Sequence, residues 1–198
     1  VRHYISAAVL AGGRCSRIAT EKSLLRLREV PLIDEIIGLL KEIFPEIILI
    51  TGKSEIITRF PELRFANDIV KSAGPLAGIH TALKTASNDA VFIFACDMPN
   101  LKKELIEDMV DFYQQHKDSL ELLVPRHQKG IEPLHAIYSK MNIPLIEQQL
   151  RQNNYKISDF FSEVATGYYD VPENLSELFY NINTREDLLG FSRERKSV

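Results

Sequence analysis

An apolar run from Ile5 to Ala11, broken only by Ser6, leads straight into the glycine pair Gly12-Gly13, then a loop carrying Arg14, Arg17 and Lys22. Such a run, without polar alternation, predicts a strand buried on both faces, as in a parallel sheet covered by helices. A sheet of that kind leaves the carboxyl ends of its strands open to ligands. Here that edge carries glycines and cations, the layout of a nucleotide-phosphate site. Two well-defined phosphate motifs are nevertheless absent. A Walker loop, GxxxxGK[ST], needs glycine where Glu21 precedes Lys22-Ser23, and a GxGxxG fingerprint needs more than an adjacent pair. What remains is a glycine pair that lets backbone N–H groups approach a base or phosphate, with Arg17 and Lys22 to neutralise charge. A tight turn without a ligand is the plainer alternative.

The rest of the chain alternates strand and helix. Leu32, Ile33, Ile36, Ile37, Leu40, Ile43 and Phe44 recur at helical spacing up to Pro45. Ile47 to Thr51 reads as a second strand. Ser54 to Phe60 reads as a short helix with Ser54 as its N-cap, and Leu63 to Ala66 as a third strand ending at Asn67-Asp68. A helix follows Gly74-Pro75, near 76–86. Ala90 to Ala95 (AVFIFA) is the strongest buried strand, ending in the polar turn Cys96-Asp97-Met98-Pro99-Asn100 before a helix from about Lys102 to His116. Strands are expected at Leu120–Val124, Pro133–Tyr138 and Thr166–Val171. Asn142–Leu150 reads as helix and Ile157–Phe161 as a helical turn. Phe179–Thr184 reads as a last extended piece and Arg185–Phe191 as a closing helix, with a polar tail from about 192. This pattern predicts a three-layer α/β/α sandwich around a mainly parallel sheet, one domain over residues 1–198.

Charge and composition exclude several functions. The formal net charge of −3 argues against a nucleic-acid-binding protein. From Arg14 to Arg28, five basic residues face one acid, which suits a small polyanion. No run approaches the ~18 apolar residues of a membrane span, and the apolar start reads as a strand rather than a leader. Two cysteines, Cys15 and Cys96, form neither a metal pattern nor a disulfide framework; buried thiols in a reducing cytoplasm are expected. The five histidines show no ligand spacing. Arg126 to Gly130 reads as a polar loop tip or, more sharply, as a lip against an acidic acceptor. Asp97, held at a strand end, suits a Mg²⁺ ion, which takes one or two protein carboxylates and completes its shell with phosphates and water. Helix capping is the alternative role for Asp97, and ordinary turn formation for Asp68.

LAGGRCSRIATEK resembles the LAGGxSxRMGxDK loop of the molybdenum cofactor guanylyltransferases. The resemblance continues through Pro31-Leu32, Asn67-Asp68, GPLAGIHTAL, FACDMPNL, GIEPLHAIYSK and NINTREDL, nearly the whole length. Cys15, Ala19, Glu21 and Glu29 depart from the family pattern of Ser, Gly, Asp and Gly. The resemblance implies a Rossmann-like nucleotidyltransferase fold and transfer of GMP from GTP to the terminal phosphate of molybdopterin, with pyrophosphate leaving. It also implies roles for particular residues. Leu10, Ala11, Gly12 and Gly13 would meet the guanine nucleotide and Asp68 would contact it. Arg17 would hold the leaving phosphates and Lys22 would act at the α-phosphate. Asp97 would hold Mg²⁺, and Asn181 and Asn183 would lie on the acceptor side or in the metal shell. Proteins that receive the product are implied as partners. Two alternatives stay open: a cytidylyl- or other small-molecule nucleotidyltransferase, and a nucleotide-binding module without turnover.

Overall fold

The computed structural model describes residues 5–12, 31–67, 69 and 74–175. In chain order the elements are β1 (Ile5–Leu10), α1 (Leu32–Ile43), β2 (Ile47–Ile50), α2 (Ser54–Arg59), β3 (Arg64–Ala66), α3 (Gly74–Thr85) and β4 (Ala90–Ala95). There follow α4 (Lys103–His116), β5 (Leu122–His127), β6 (Gly130–Ile131), β7 (His135–Ser139), α5 (Ile143–Arg151) and β8 (Thr166–Asp170), with 3-10 turns at Lys140–Asn142 and Ile157–Phe160. The sheet order is β3-β2-β1-β4-β7-β5-β6, with β8 paired to β5.

Both faces of this sheet are covered, which is why its central strands read as nearly unbroken apolar runs. Along β4, Phe92 and Phe94 point into one core with Val9, Leu49, Ile106 and Met109, under α1 and α4. Val91 and Ile93 point into the other, with Ala8, Ile48, Ile79 and Ile146, under α3 and α5. Phe92 and Phe94 stack at 4.4 Å between ring centroids, and Phe44 meets both rings edge-on at about 6 Å.

The expected parallel sheet holds from β3 through β2 and β1 to β4. Beyond that, β7 runs antiparallel to both β4 and β5. The reason is local: β5 turns back into β6 through the two-residue loop Gln128-Lys129, far too short for a parallel crossover. Because β7 reverses between them, β4 and β5 are parallel, and β8 is parallel to β5. The carboxyl ends of β1, β2, β3, β4, β5 and β8 therefore lie on one edge, together with the start of β7.

The amino edge is closed by polar contacts. Glu46, just before β2, accepts from the Ser6 hydroxyl of β1, from Ser87 N at 2.9 Å, from Ser87 Oγ at 2.8 Å and from Arg64 at 3.1 Å. Asn88 Nδ2 donates to Ser6 Oγ at 3.1 Å.

Helix boundaries differ from expectation at one cap. Ser54 lies inside α2; Lys53 is the N-cap and no side chain caps the helix. Thr51 takes part of that role, its hydroxyl accepting Lys53 N–H at 3.2 Å. The extended piece at 179–184, the closing helix at 185–191 and the tail lie outside the described residues.

Candidate active site

At the end of β1 the backbone is fixed before it reaches the glycines. Ala11 N–H donates to Ile50 O at 3.0 Å, and the Thr51 hydroxyl donates to Ala11 O at 3.3 Å. Thr51 N–H in turn donates to Ala66 O at 2.9 Å, so β1, β2 and β3 are tied at their carboxyl ends. Ala11 is buried and its amide is committed to the sheet. Gly12 is exposed, the first residue of the loop free to meet a ligand. Leu10 packs over α3, where a Cβ on Gly78 would stand 3.0 Å from Leu10 Cδ2. That close approach is the reason for glycine within GPLAG: the helix lies directly against the strand that ends in the loop. Gly74 opens the helix with φ +64°, a conformation side chains disfavour.

Asp97 follows β4, the strand next to β1, and is partly buried. It does not cap α4, whose N-cap is Lys102 with no side-chain hydrogen bond. The capping alternative for Asp97 therefore fails on position. Beneath it the turn is locked by buried Met98 and Cys96. Cys96 is disulfide-bonded rather than a free thiol, which corrects the expectation from sequence. His135, opposite Phe94 in the register, is packed edge-on against Phe92 and Phe94. Burial lowers its pKa to about 3, so it contributes no charge.

A second carboxylate accompanies Asp97. Glu132, between β6 and β7, has its carboxyl pushed up by burial, with the charge of Asp97 adding to the rise and a hydrogen bond from His127 opposing it. His127 Nε2 lies 3.2 Å from Glu132 Oε1, and Lys129 N–H reaches His127 Nδ1 at 3.4 Å. The ring thus accepts at Nδ1 and donates at Nε2, holding the β5–β6 turn to the entry of β7. Leu134 O, two residues on, accepts Ala95 N–H at 3.0 Å and joins that entry to the end of β4. Negative potential gathers at Asp97 and Glu132, a setting that fits a divalent cation. Among the described residues no group of three or more His, Cys, Asp or Glu could hold a metal alone. A cation at Asp97 would draw its other ligands from phosphate oxygens and water.

Of the residues expected at the site, Leu10, Ala11, Gly12 and Asp97 lie together on one edge, on adjacent strands. Gly13, Arg17, Lys22, Asp68, Asn181 and Asn183 lie outside the described residues. Sequence reasoning passed over Thr51 and Glu132, and met His127 only as part of the polar loop from Arg126 to Gly130. The GIEPLH segment was the signal for Glu132, whereas nothing in sequence pairs it with His127 across the hairpin.

Residues 7–166 match the family model of the MobA-like NTP transferase domain. A probable molybdenum cofactor guanylyltransferase of Pelotomaculum thermopropionicum is 37% identical over 190 residues, covering 93% of this chain and 90% of that protein. One of Clostridium perfringens is 37% identical over 195 residues, covering 93% and 96%. Among solved structures, molybdopterin-guanine dinucleotide biosynthesis protein A of Archaeoglobus fulgidus superposes with a TM-score of 0.78 at 27% identity, covering 98% of this chain and 100% of that one.

Proposed function

The chain belongs to the MobA-like NTP transferase family, and from that premise we propose that it transfers GMP from GTP to the terminal phosphate of molybdopterin. An acceptor phosphate oxygen forms a bond to the α-phosphorus of GTP. The bond from that phosphorus to the bridging oxygen breaks, and pyrophosphate leaves with the electron pair. In-line displacement of this kind asks a protein for positioning and charge neutralisation rather than covalent chemistry.

The observation that carries the proposal is the placement of Gly12 and Asp97 at the carboxyl ends of neighbouring strands, β1 and β4. Adjacent strands lie about 4.8 Å apart, so a nucleotide seated on the Gly12 loop brings its phosphates to the carboxylate. Asp97 would hold the divalent cation, Mg²⁺ in this proposal. When bound, such an ion neutralises charge on the phosphate oxygens. Leu10, Ala11, Gly12 and Gly13 would form the guanine side, with Asp68 on the nucleotide. Arg17 would hold the departing phosphates and Lys22 would stabilise charge at the α-phosphate. Asn181 and Asn183 would serve the acceptor half. One domain carries all of this, and transfer of the product to an acceptor protein in the cytoplasm completes the proposal. Among the described residues no helix is long and apolar enough to cross a membrane.

Incubation with Mg²⁺, molybdopterin and each labelled nucleoside triphosphate tests it. GTP is expected to yield the dinucleotide and pyrophosphate. Preferential use of CTP would overturn the guanine assignment, and binding of GTP without pyrophosphate release would make the protein a nucleotide-binding module.

A further inference from the structure

The β5–β6 hairpin, whose RHQKG sequence reads either as a loop tip or as a lip, is tied to the reaction centre through the His127–Glu132 contact. It stands on the far side of Asp97 from the Gly12 loop, because the order across the sheet is β1, β4, β7, β5. In-line attack requires the acceptor to approach opposite the leaving pyrophosphate. With the nucleotide over β1, the wall left for the acceptor is the one formed by β7 and this hairpin.

Three side chains hold the hairpin there. His127, whose side chain is 4% exposed, bonds Glu132 at one ring nitrogen and receives Lys129 N–H at the other. Arg126 is clamped by Asp170 at 2.7 and 3.1 Å and lies over the Tyr168 ring. Gln128 donates to Glu173. The polar heads flanking the tip are thus committed to the protein. Lys129, exposed at the tip, is the exception: its ammonium takes part in no hydrogen bond or ion pair of the described residues. A phosphate approaching Asp97 and Glu132 meets two acids, and a cation on that side is what the approach requires.

We propose that the β5–β6 hairpin is the acceptor lip of the site, with Lys129 binding the phosphomonoester of the acceptor and the His127–Glu132 contact positioning the turn that carries it. The proposal rests on the transfer reaction above for the identity of the acceptor. A merely solvated loop would leave acceptor binding indifferent to Lys129. A lip makes binding depend on Lys129 and, through the turn, on Glu132.

The experiment measures molybdopterin binding to the full chain without nucleotide, and GTP binding in parallel. Lys129→Ala is expected to weaken molybdopterin about tenfold, the scale of one charge-assisted contact, with GTP affinity unchanged and Lys129→Arg restoring much of the loss. Glu132→Ala should shift acceptor binding in the same direction, and Glu132→Gln, which keeps an acceptor for His127, should recover it. Molybdopterin affinity within twofold of wild type in Lys129→Ala, or an equal loss for GTP, overturns the lip. Pyrophosphate release is scored separately. Molybdopterin binding that depends on Lys129 in a protein that makes no pyrophosphate overturns the transfer reaction and supports the lip.

Discussion

The two edges of the sheet treat a half-buried carboxylate in opposite ways. At the amino edge, burial raises the Glu46 carboxyl, but hydrogen bonds from Ser6, Ser87 and Arg64 outweigh it and the net direction is down. At the carboxyl edge, burial raises Glu132, the nearby charge of Asp97 raises it further, and a single His127 contact does not reverse the direction. The first carboxylate is surrounded by donors and joins β1, β2, β3 and the turn before β4. The second faces another acid. A cluster satisfied within the protein stabilises the fold and offers nothing to a ligand. Like charges gathered at a mouth gain from an external cation or from substrate-borne partners. One sheet thus separates rigidity from chemistry by some four to six residues of strand length.

The largest effect expected from breaking this contrast is at the carboxyl edge. Asp97→Asn keeps the side-chain shape and removes the charge. GMP transfer, measured as pyrophosphate release with saturating GTP, Mg²⁺ and molybdopterin, should fall about a hundred- to a thousandfold. The circular dichroism spectrum should not change. Activity near wild type would remove Asp97 from the metal role. At the amino edge the same class of change should act on stability alone. Glu46→Ala strips the acceptor from Ser6, Ser87 and Arg64 and is expected to cost about 2 kcal/mol in urea unfolding, with kcat unaltered. A variant that loses activity in proportion to stability would dissolve the distinction between the edges.

Acid sharpens the comparison further. Hydrogen bonds from Ser6, Ser87 and Arg64 hold the folded Glu46 carboxyl below the usual glutamate range, so its ionised form favours the fold. That contribution is fully present above the unfolded pKa and disappears as pH falls through the folded one. Wild type should therefore lose stability faster than Glu46→Gln in urea titrations run from neutral pH to below 4. Parallel curves for the two proteins would contradict the hydrogen-bonded carboxylate.

How much of this was readable in the sequence follows from the same physics. β1 and β4 were legible because a strand buried on both faces shows an almost wholly apolar pattern, with Ser6 of β1 its one polar position. β5 was read too short, at Val124, because Pro125-Arg126-His127 looks like a loop; the strand continues there because β6 and β8 supply its partners. β6 has two residues, too few to carry any periodicity. Asp97 was legible as a polar residue directly after an apolar strand. Glu132 was not: its meaning comes from His127 and Asp97, which the hairpin and the sheet bring to it from distant positions. The cysteine expectation failed for a related reason, since a thiol's partner is a property of the fold rather than of spacing.

The smallest effect tests whether α3 supports one half of the carboxyl edge or both. A Cβ on Gly78 would lie 3.0 and 3.3 Å from the two Leu10 methyls. The leucine can give by a few tenths of an ångström, and alanine favours helix over glycine by about 1 kcal/mol. Overall stability of Gly78→Ala should then stay within about 1 kcal/mol of wild type, because the packing loss and the helix gain oppose each other. Leu10, however, immediately precedes Ala11 and Gly12, and its displacement moves the wall of the nucleotide side. GTP binding should weaken severalfold, on the order of 1 kcal/mol, while molybdopterin binding stays unchanged. Loss of acceptor binding instead would mean that α3 supports both halves of the site. Loss of stability without either would make Gly78 a packing residue and return Leu10 to the core.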